Sequence, residues 1–265
     1  MIEDVTGSKP GAYLLDLDGT VYASGAAIPG APETLHRLRE RKVPFRLVTN
    51  TTSRSRSMLV QRLAGYGFQV SADEVFTATL AATELARAAG FINVAPFIPE
   101  PALEDMQALE LAGGTSGRPS AGQPEAILVG DLGDRWTYAL MQEAFEYLMG
   151  GADFIALSRD RYWLHEGRLA LDAGPFVAGL EYATNKVATV AGKPSPLFYH
   201  TALESLGTSR SETAMVGDDL WSDVEGAQRA GLQGWLVRTG KYQESALHGS
   251  GIRPDRILDS IAALE

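Results

Sequence analysis

Three observations predict an α/β fold with a parallel, doubly wound sheet. Short apolar segments alternate with amphipathic ones, the alternation recurs at both ends of the chain, and several apolar segments run directly into acidic or hydroxyl residues. Residues 12–17 read as the first strand. Residues 32–42 read as a helix with Leu35 and Leu38 on one face, and 45–48 as the next strand. A helix over 57–66 places Leu59 and Leu63 four apart, and Gly65 and Gly67 end it. Near the other end, 188–191, 213–217 and 234–237 read as strands, with helices over 196–206 and 219–230 between them. Strands that alternate with helices imply right-handed crossovers.

The middle of the chain breaks this rhythm. Residues 113–124 are a polar, glycine-rich loop. Strands at 126–129 and 154–157 flank a helix over 136–149, and 162–171, with Gly167 at the centre, reads as a hairpin. Residues 79–183 are therefore expected to form a sheet-and-helix unit inserted into an outer fold of 1–78 and 184–265. Met141, Phe145, Leu148 and Met149, at helical spacing, are expected in a core or a subunit interface.

Composition narrows the function. The chain has 265 residues, 45% hydrophobic and 21% charged, enough to bury ~70–75% of its unfolded surface without staples. Its formal charge of −10 opposes a phosphate backbone, so nucleic acid is not an expected partner. A small phosphorylated molecule stays compatible, because a bound cation reverses the local sign. With no cysteine there is no thiolate chemistry. Met1–Val5 show no basic segment leading into an apolar one, and no apolar run approaches 18 residues, so a cytoplasmic protein without a membrane partner is expected.

Four strand ends carry the chemistry. Asp16-Leu17-Asp18-Gly19-Thr20 closes the first strand, where residues two apart point the same way, so both carboxylates can face one site. The same residue types also make a turn, although two like charges at the end of a buried strand are costly there. Thr49-Asn50-Thr51-Thr52 closes the second strand. Its short polar groups suit phosphate oxygens and equally suit a helix cap. Lys193, between Gly192 and Pro194, is either a placed cation or a solvated charge. Gly217-Asp218-Asp219, with Asp223, closes another strand. Asp219 also fits a helix cap, whereas Asp218 sits at the strand end, where a hard divalent cation finds oxygen ligands. Carboxylates, hydroxyls and a lysine at four ends of one parallel sheet fit metal-assisted phosphoryl transfer.

These residues resemble the four motifs of the haloacid dehalogenase (HAD) superfamily, in order: Asp16 to Val21, Thr49-Asn50, Lys193, and Gly217-Asp218-Asp219 with Asp223. Ile28-Pro29-Gly30-Ala31, Asp134 to Tyr138, Gly192-Lys193-Pro194 and Arg238 to Tyr242 extend the resemblance to subclass IIA over nearly the whole chain. Thr49 to Thr52 and Glu181-Tyr182-Ala183-Thr184 are similar to the branch holding phospholysine phosphohistidine inorganic pyrophosphate phosphatase and HAD-like hydrolase domain proteins. The resemblance implies a Rossmann-like core with an inserted α/β cap of the C2 type, and a Mg2+-dependent phosphohydrolase acting through an aspartyl-phosphate. The bond cleaved would be a phosphoric monoester, a phosphoamide or a pyrophosphate.

It also implies roles. Asp16 is the nucleophile and Asp18 the general acid and base. Thr49 and Asn50 serve the phosphate, and Lys193 neutralises charge. The metal is held by Asp16, the Asp18 main-chain carbonyl and Asp218, with Asp223 and Asp219 in an outer position. Arg159 and Arg161, with Trp163 and His165 beside them, are the cap candidates for substrate contact, and a homodimer through the cap is expected. Two other readings share the motifs: a phosphotransferase, and a non-catalytic phospho-acceptor or binding module. A signalling receiver of the latter kind runs near half this length and lacks the inserted unit.

Overall fold

The computed structural model describes residues 9–120, 122–165 and 168–264, with the backbone alone at 164 and 165. Met1–Val5 and Gly167 lie outside the described residues. The chain divides into two compact units. One comprises the chain up to Thr49, Ser57–Phe76 and the chain from Lys193 onward; the other comprises Asn50–Arg56 and Thr77–Gly192.

The first unit is built on a six-stranded sheet in the order Arg256–Leu258, Gln233–Val237, Thr213–Gly217, Ala12–Asp16, Phe45–Thr49, Val75–Thr77. Ala12–Asp16 is buried along its whole length, as a strand covered on both faces requires. It runs parallel to both neighbours, with Leu15 opposite Val216 and Asp16 opposite Val48. The chain leaves this strand toward Phe45–Thr49 on one side and later returns through Thr213–Gly217 on the other. The topology thus reverses at Asp16, where open α/β sheets bind ligands. Helices Ala31–Glu40 and Arg56–Gly65 bury Leu35, Leu38, Leu59 and Leu63 in a core with Tyr13, Leu15, Leu47 and Trp235. Each buried leucine contributes ~1.5–3 kcal/mol by leaving water.

The second unit has a five-stranded sheet in the order Thr189–Val190, Asp153–Ala156, Ala126–Val129, Asn93–Phe97, Glu110–Leu111, with parallel pairings. Helices Tyr138–Met149 and Ala173–Thr184 bury Ala144, Leu148, Val177 and Leu180 in its core. Met141 and Phe145 pack against that core, whereas Met149 is exposed. Trp136 stacks between Phe97 and Phe176, with ring centroids 5.9 and 5.1 Å away. Tyr162–His165 and Arg168–Leu171 pair antiparallel as a hairpin.

Two expectations are corrected. The strand expected at 188–191 is the two-residue Thr189–Val190. It pairs with Asp153–Ala156, so residues 184–192 belong to the second unit and the return to the first falls at Lys193, not at 184. The helix expected over 219–230 is not a regular α-helix. Asp219 caps it, and Leu220–Glu225 is wound wide, with Val224 N donating to Asp219 O at 3.3 Å. Only Gly226–Arg229 is α-helical.

Candidate active site

The end of the central strand gathers a cluster of buried charge. Asp16, Asp218 and Asp223 are buried, and each offers a carboxylate oxygen within 4.8 Å of the other two. Lys193 Nζ lies among them, donating to Asp16 Oδ1 at 2.5 Å and to Asp223 Oδ1 at 2.7 Å. Burial drives the Asp16 carboxyl well above the usual carboxylate range. Lys193 pulls it down, but Asp223 and Asp218 push it up again. Burial alone would lower the Lys193 ammonium, yet Asp16 and Asp223 hold it well above its ordinary value and so keep it charged. Three carboxylates against one ammonium leave an excess of negative charge when all are ionised.

Asp218 sits in a cradle that admits no side chain. A Cβ on Gly19 or on Gly240 would lie 2.0 Å from its Oδ2, and both glycines have positive φ, +92° and +59°. The Lys241 N–H donates to the same Oδ2 at 2.6 Å, while the Thr239 hydroxyl donates to Gly19 O at 2.6 Å. The segment 239–241 therefore ties the turn after the first strand to the Asp218 carboxylate that follows strand Thr213–Gly217. Burial and Asp223 push Asp218 up to about 6, against the pull of the Lys241 N–H. No role was expected for Tyr22, Thr239 or Gly240; the last two lie in the Arg238 to Tyr242 run that carries part of the subclass resemblance.

Asp219 turns to a different task. Its Oδ1 accepts from the Trp221 and Ser222 N–H groups at 3.0 Å, and its Oδ2 pairs with Lys241 Nζ at 3.1 Å. These partners hold it below the usual carboxylate range despite its burial. The wide turn it caps brings Asp223 back over Gly217, where an added Cβ would lie 2.1 Å from Asp223 Oδ2. Asp223, expected in an outer position, thus stands within the carboxylate cluster itself and also holds Lys193.

Asp18 is exposed beside this cluster in sequence, and its Oδ2 accepts from the Tyr22 hydroxyl at 2.8 Å. Thr49 is buried at the end of the neighbouring strand. Asn50, Arg159 and Arg161 belong to the second unit. There the Asn50 amide donates to Asp160 Oδ2 at 3.3 Å, and Arg159 pairs with Glu181 at 2.6 Å. Arg161 and Trp163 are exposed, and the His165 side chain lies outside the described residues.

Residues 13–111 match the family model of haloacid dehalogenase-like hydrolases, and residues 190–264 match a second model described as HAD-hydrolase-like. Haloacid dehalogenase-like hydrolase domain-containing protein 2 of Bos taurus is 41% identical over 234 residues, 88% of this chain and 85% of that protein. The chain belongs to the haloacid dehalogenase-like hydrolases. Within this family it is a subclass IIA phosphatase. Phospholysine phosphohistidine inorganic pyrophosphate phosphatase of Homo sapiens is 34% identical over 255 residues, covering 94% of this chain and 90% of that one. The solved structure of NagD from E. coli matches with a TM-score of 0.85 at 25% identity, over 97% and 99% of the two chains.

The HAD family implies a divalent metal ion, and the residues present suit one. The donors are clustered carboxylate oxygens, the set a hard cation takes. Burial and mutual repulsion raise two of the three carboxyls, so the site favours an added positive charge.

Proposed function

We propose that this phosphatase depends on Mg2+ and hydrolyses a small phosphorylated substrate through an aspartyl-phosphate on Asp16. The observation that carries the reading is Lys193 held between Asp16 and Asp223, with Asp218 completing a three-carboxylate cluster. A phosphate ester entering such a cluster is repelled until positive charge offsets the carboxylates. Asp16, Asp218 and the Asp18 main-chain carbonyl would hold Mg2+, which when bound offsets that charge and polarises the phosphoryl oxygens.

The chain's own residues do the rest. An Asp16 oxygen attacks phosphorus as the bond to the leaving oxygen breaks, and Asp18 gives that oxygen a proton. Water then attacks the phosphorus of the aspartyl-phosphate and yields its proton to Asp18, which releases phosphate and restores the Asp16 carboxylate. Lys193 meets charge on the phosphoryl oxygens in both steps. Thr49 holds one of those oxygens and Asn50 supports the loop around them. Asp223 orients Lys193 through its 2.7 Å hydrogen bond. Arg159 and Arg161 of the inserted unit, read as a cap of the C2 type, contact the leaving group.

The decisive experiment is turnover of a panel of phosphate monoesters, phospholysine, phosphohistidine and pyrophosphate, with Mg2+ and with chelator, alongside labelling of the protein by radioactive substrate. Wild type should release phosphate only with Mg2+ and carry a label at Asp16. The Asp16→Asn variant should do neither, losing ~10³-fold or more in rate. Undiminished turnover in chelator sinks the metal role, and a label retained by the variant sinks the nucleophile. Transfer to an added acceptor in preference to water would identify a phosphotransferase.

The same reading includes a homodimer through the second unit. Tyr162, Leu169 and Leu171 stand exposed on one face of its hairpin, a face that a second copy of the chain would cover. Sedimentation should give a dimer that Leu169→Asp dissociates; a monomeric wild type removes this part of the reading.

A further inference from the structure

The turn after the nucleophile contains a buried phenol whose hydroxyl bonds the exposed carboxylate of Asp18. Tyr22 is 2% exposed, and its O–H donates to Asp18 Oδ2 at 2.8 Å. Its main chain closes the same turn: Gly19 N donates to Tyr22 O at 2.7 Å, and Tyr22 N donates to Leu17 O at 3.1 Å. Its ring is fixed from outside. The Arg62 guanidinium lies 4.9 Å from the ring centroid, and the Tyr66 ring centroid lies 5.4 Å away. Arg62 is itself held by the Tyr66 hydroxyl at 3.2 Å. Phenol and carboxylate are therefore placed by one rigid turn and one packed stack.

This has a consequence for proton transfer. A carboxyl group that both gives and takes a proton needs one oxygen facing the reaction in each step. A phenol carries its proton at neutral pH and here faces a carboxylate oxygen at 2.8 Å, so it is the donor of the pair. A donor on Oδ2 leaves Oδ1 to carry the proton. Rotating Asp18 away would strand a buried hydroxyl without this partner, which opposes the rotation.

We propose that Tyr22 is the positioning residue for the general acid and base: it pins Oδ2 of Asp18 so that Oδ1 hands its proton to the departing oxygen and later takes one from the attacking water. The inference rests on the reading of Asp18 as the proton donor. It adds a residue that acts through Asp18 and makes the reaction's dependence on the leaving group a property of Tyr22.

Tyr22→Phe removes the hydroxyl and keeps the ring among Arg62 and Tyr66. The measurement is kcat/KM at saturating Mg2+ for an aryl phosphate whose leaving group departs without a proton, p-nitrophenyl phosphate, and for an alkyl phosphate whose leaving group needs one. Tyr22→Phe should lose about tenfold on the alkyl phosphate and less than about twofold on the aryl phosphate. Asp18→Asn should show the same selectivity more strongly. Adding Tyr22→Phe to Asp18→Asn should cost nothing further, because both act on one proton transfer. Equal losses on the two substrates, no loss on the alkyl phosphate, or full additivity in the double variant overturns the role of Tyr22 while leaving that of Asp18 intact. If Asp18→Asn itself fails to discriminate between the substrates, the reading of Asp18 falls first and the inference falls with it.

Discussion

Both units are built on parallel sheets, yet among the described residues a buried acidic cluster stands at the strand ends of the first alone. In the first unit the central strands end in Asp16, Thr49 and Gly217-Asp218, and the edge collects buried charge around Lys193. In the second, the strands Asn93–Phe97, Ala126–Val129 and Asp153–Ala156 run into Ile98, Gly130 and Leu157. A Cβ on Gly130 would lie 2.9 Å from Ile98 Cγ2, 3.1 Å from Thr52 Cβ and 3.3 Å from the Thr52 hydroxyl, which accepts from Asp131 N, so packed, uncharged side chains fill that edge. Among the described residues, the metal-competent acidic cluster belongs to the first unit. The backbone edge offers a location, and the residue after each strand decides whether it holds chemistry or packing.

The contrast is open to breakage, beginning at Lys193. Lys193→Met leaves buried carboxylates without their ammonium and should cost ~3–5 kcal/mol in urea denaturation, with turnover lost alongside. A stability within 1 kcal/mol of wild type, on the order of an exposed pair, would erase the electrostatic distinction between the two edges. Next come paired glycine substitutions. Gly240→Ala forces a Cβ against Asp218 and should weaken Mg2+ binding about 10–100-fold by calorimetry. Gly130→Ala should leave Mg2+ affinity untouched and cost ~1–3 kcal/mol of stability through overpacking.

A pH experiment sharpens the same difference. Asp218, pushed up to about 6, takes a proton in the folded protein before the unfolded chain does. Metal-free protein should therefore gain stability as pH falls from about 7 to 5, by about 1 kcal/mol from this group, and Asp218→Asn should flatten that slope. The smallest effect is expected in the second unit. Arg159 is half exposed in its pair with Glu181, so Glu181→Gln should change stability by under ~1 kcal/mol and leave Mg2+ affinity alone.

The first unit was largely legible because its signals are local. Buried strands such as Ala12–Asp16 are continuous apolar runs, and the helix Pro196–Leu206 and the strand Thr213–Gly217 fall within the segments their patterns mark. In the second unit the strands Ala126–Val129 and Asp153–Ala156, the helix Tyr138–Met149 and the hairpin were legible too, but other elements were hidden. Helix Ala78–Ala88 packs through alanines and threonines and so lacks the large apolar stripe that periodicity detects. Strand Asn93–Phe97 contains Pro96, which argues against an interior strand. The structure accommodates it opposite Leu128, with Pro96 O accepting from both the N–H and the hydroxyl of Thr115. At the site, residue types and spacing marked Asp16, Lys193 and Asp218, but the place of Asp223 depended on a widened turn. The Tyr22–Asp18 hydrogen bond depended on how one loop closes, and no period or spacing encodes that.

The seating of Ala12–Asp16 between Phe45–Thr49 and Thr213–Gly217 also governs when the protein becomes competent. The strand bearing the nucleophile is made well before its neighbour Thr213–Gly217, its ammonium Lys193 and both companion carboxylates. A chain emerging from the ribosome holds a lone aspartate beside an unpaired strand edge until they arrive. Phosphate release is then a natural reporter that Lys193, Asp218 and Asp223 have joined that strand, silent in nascent products that end before them.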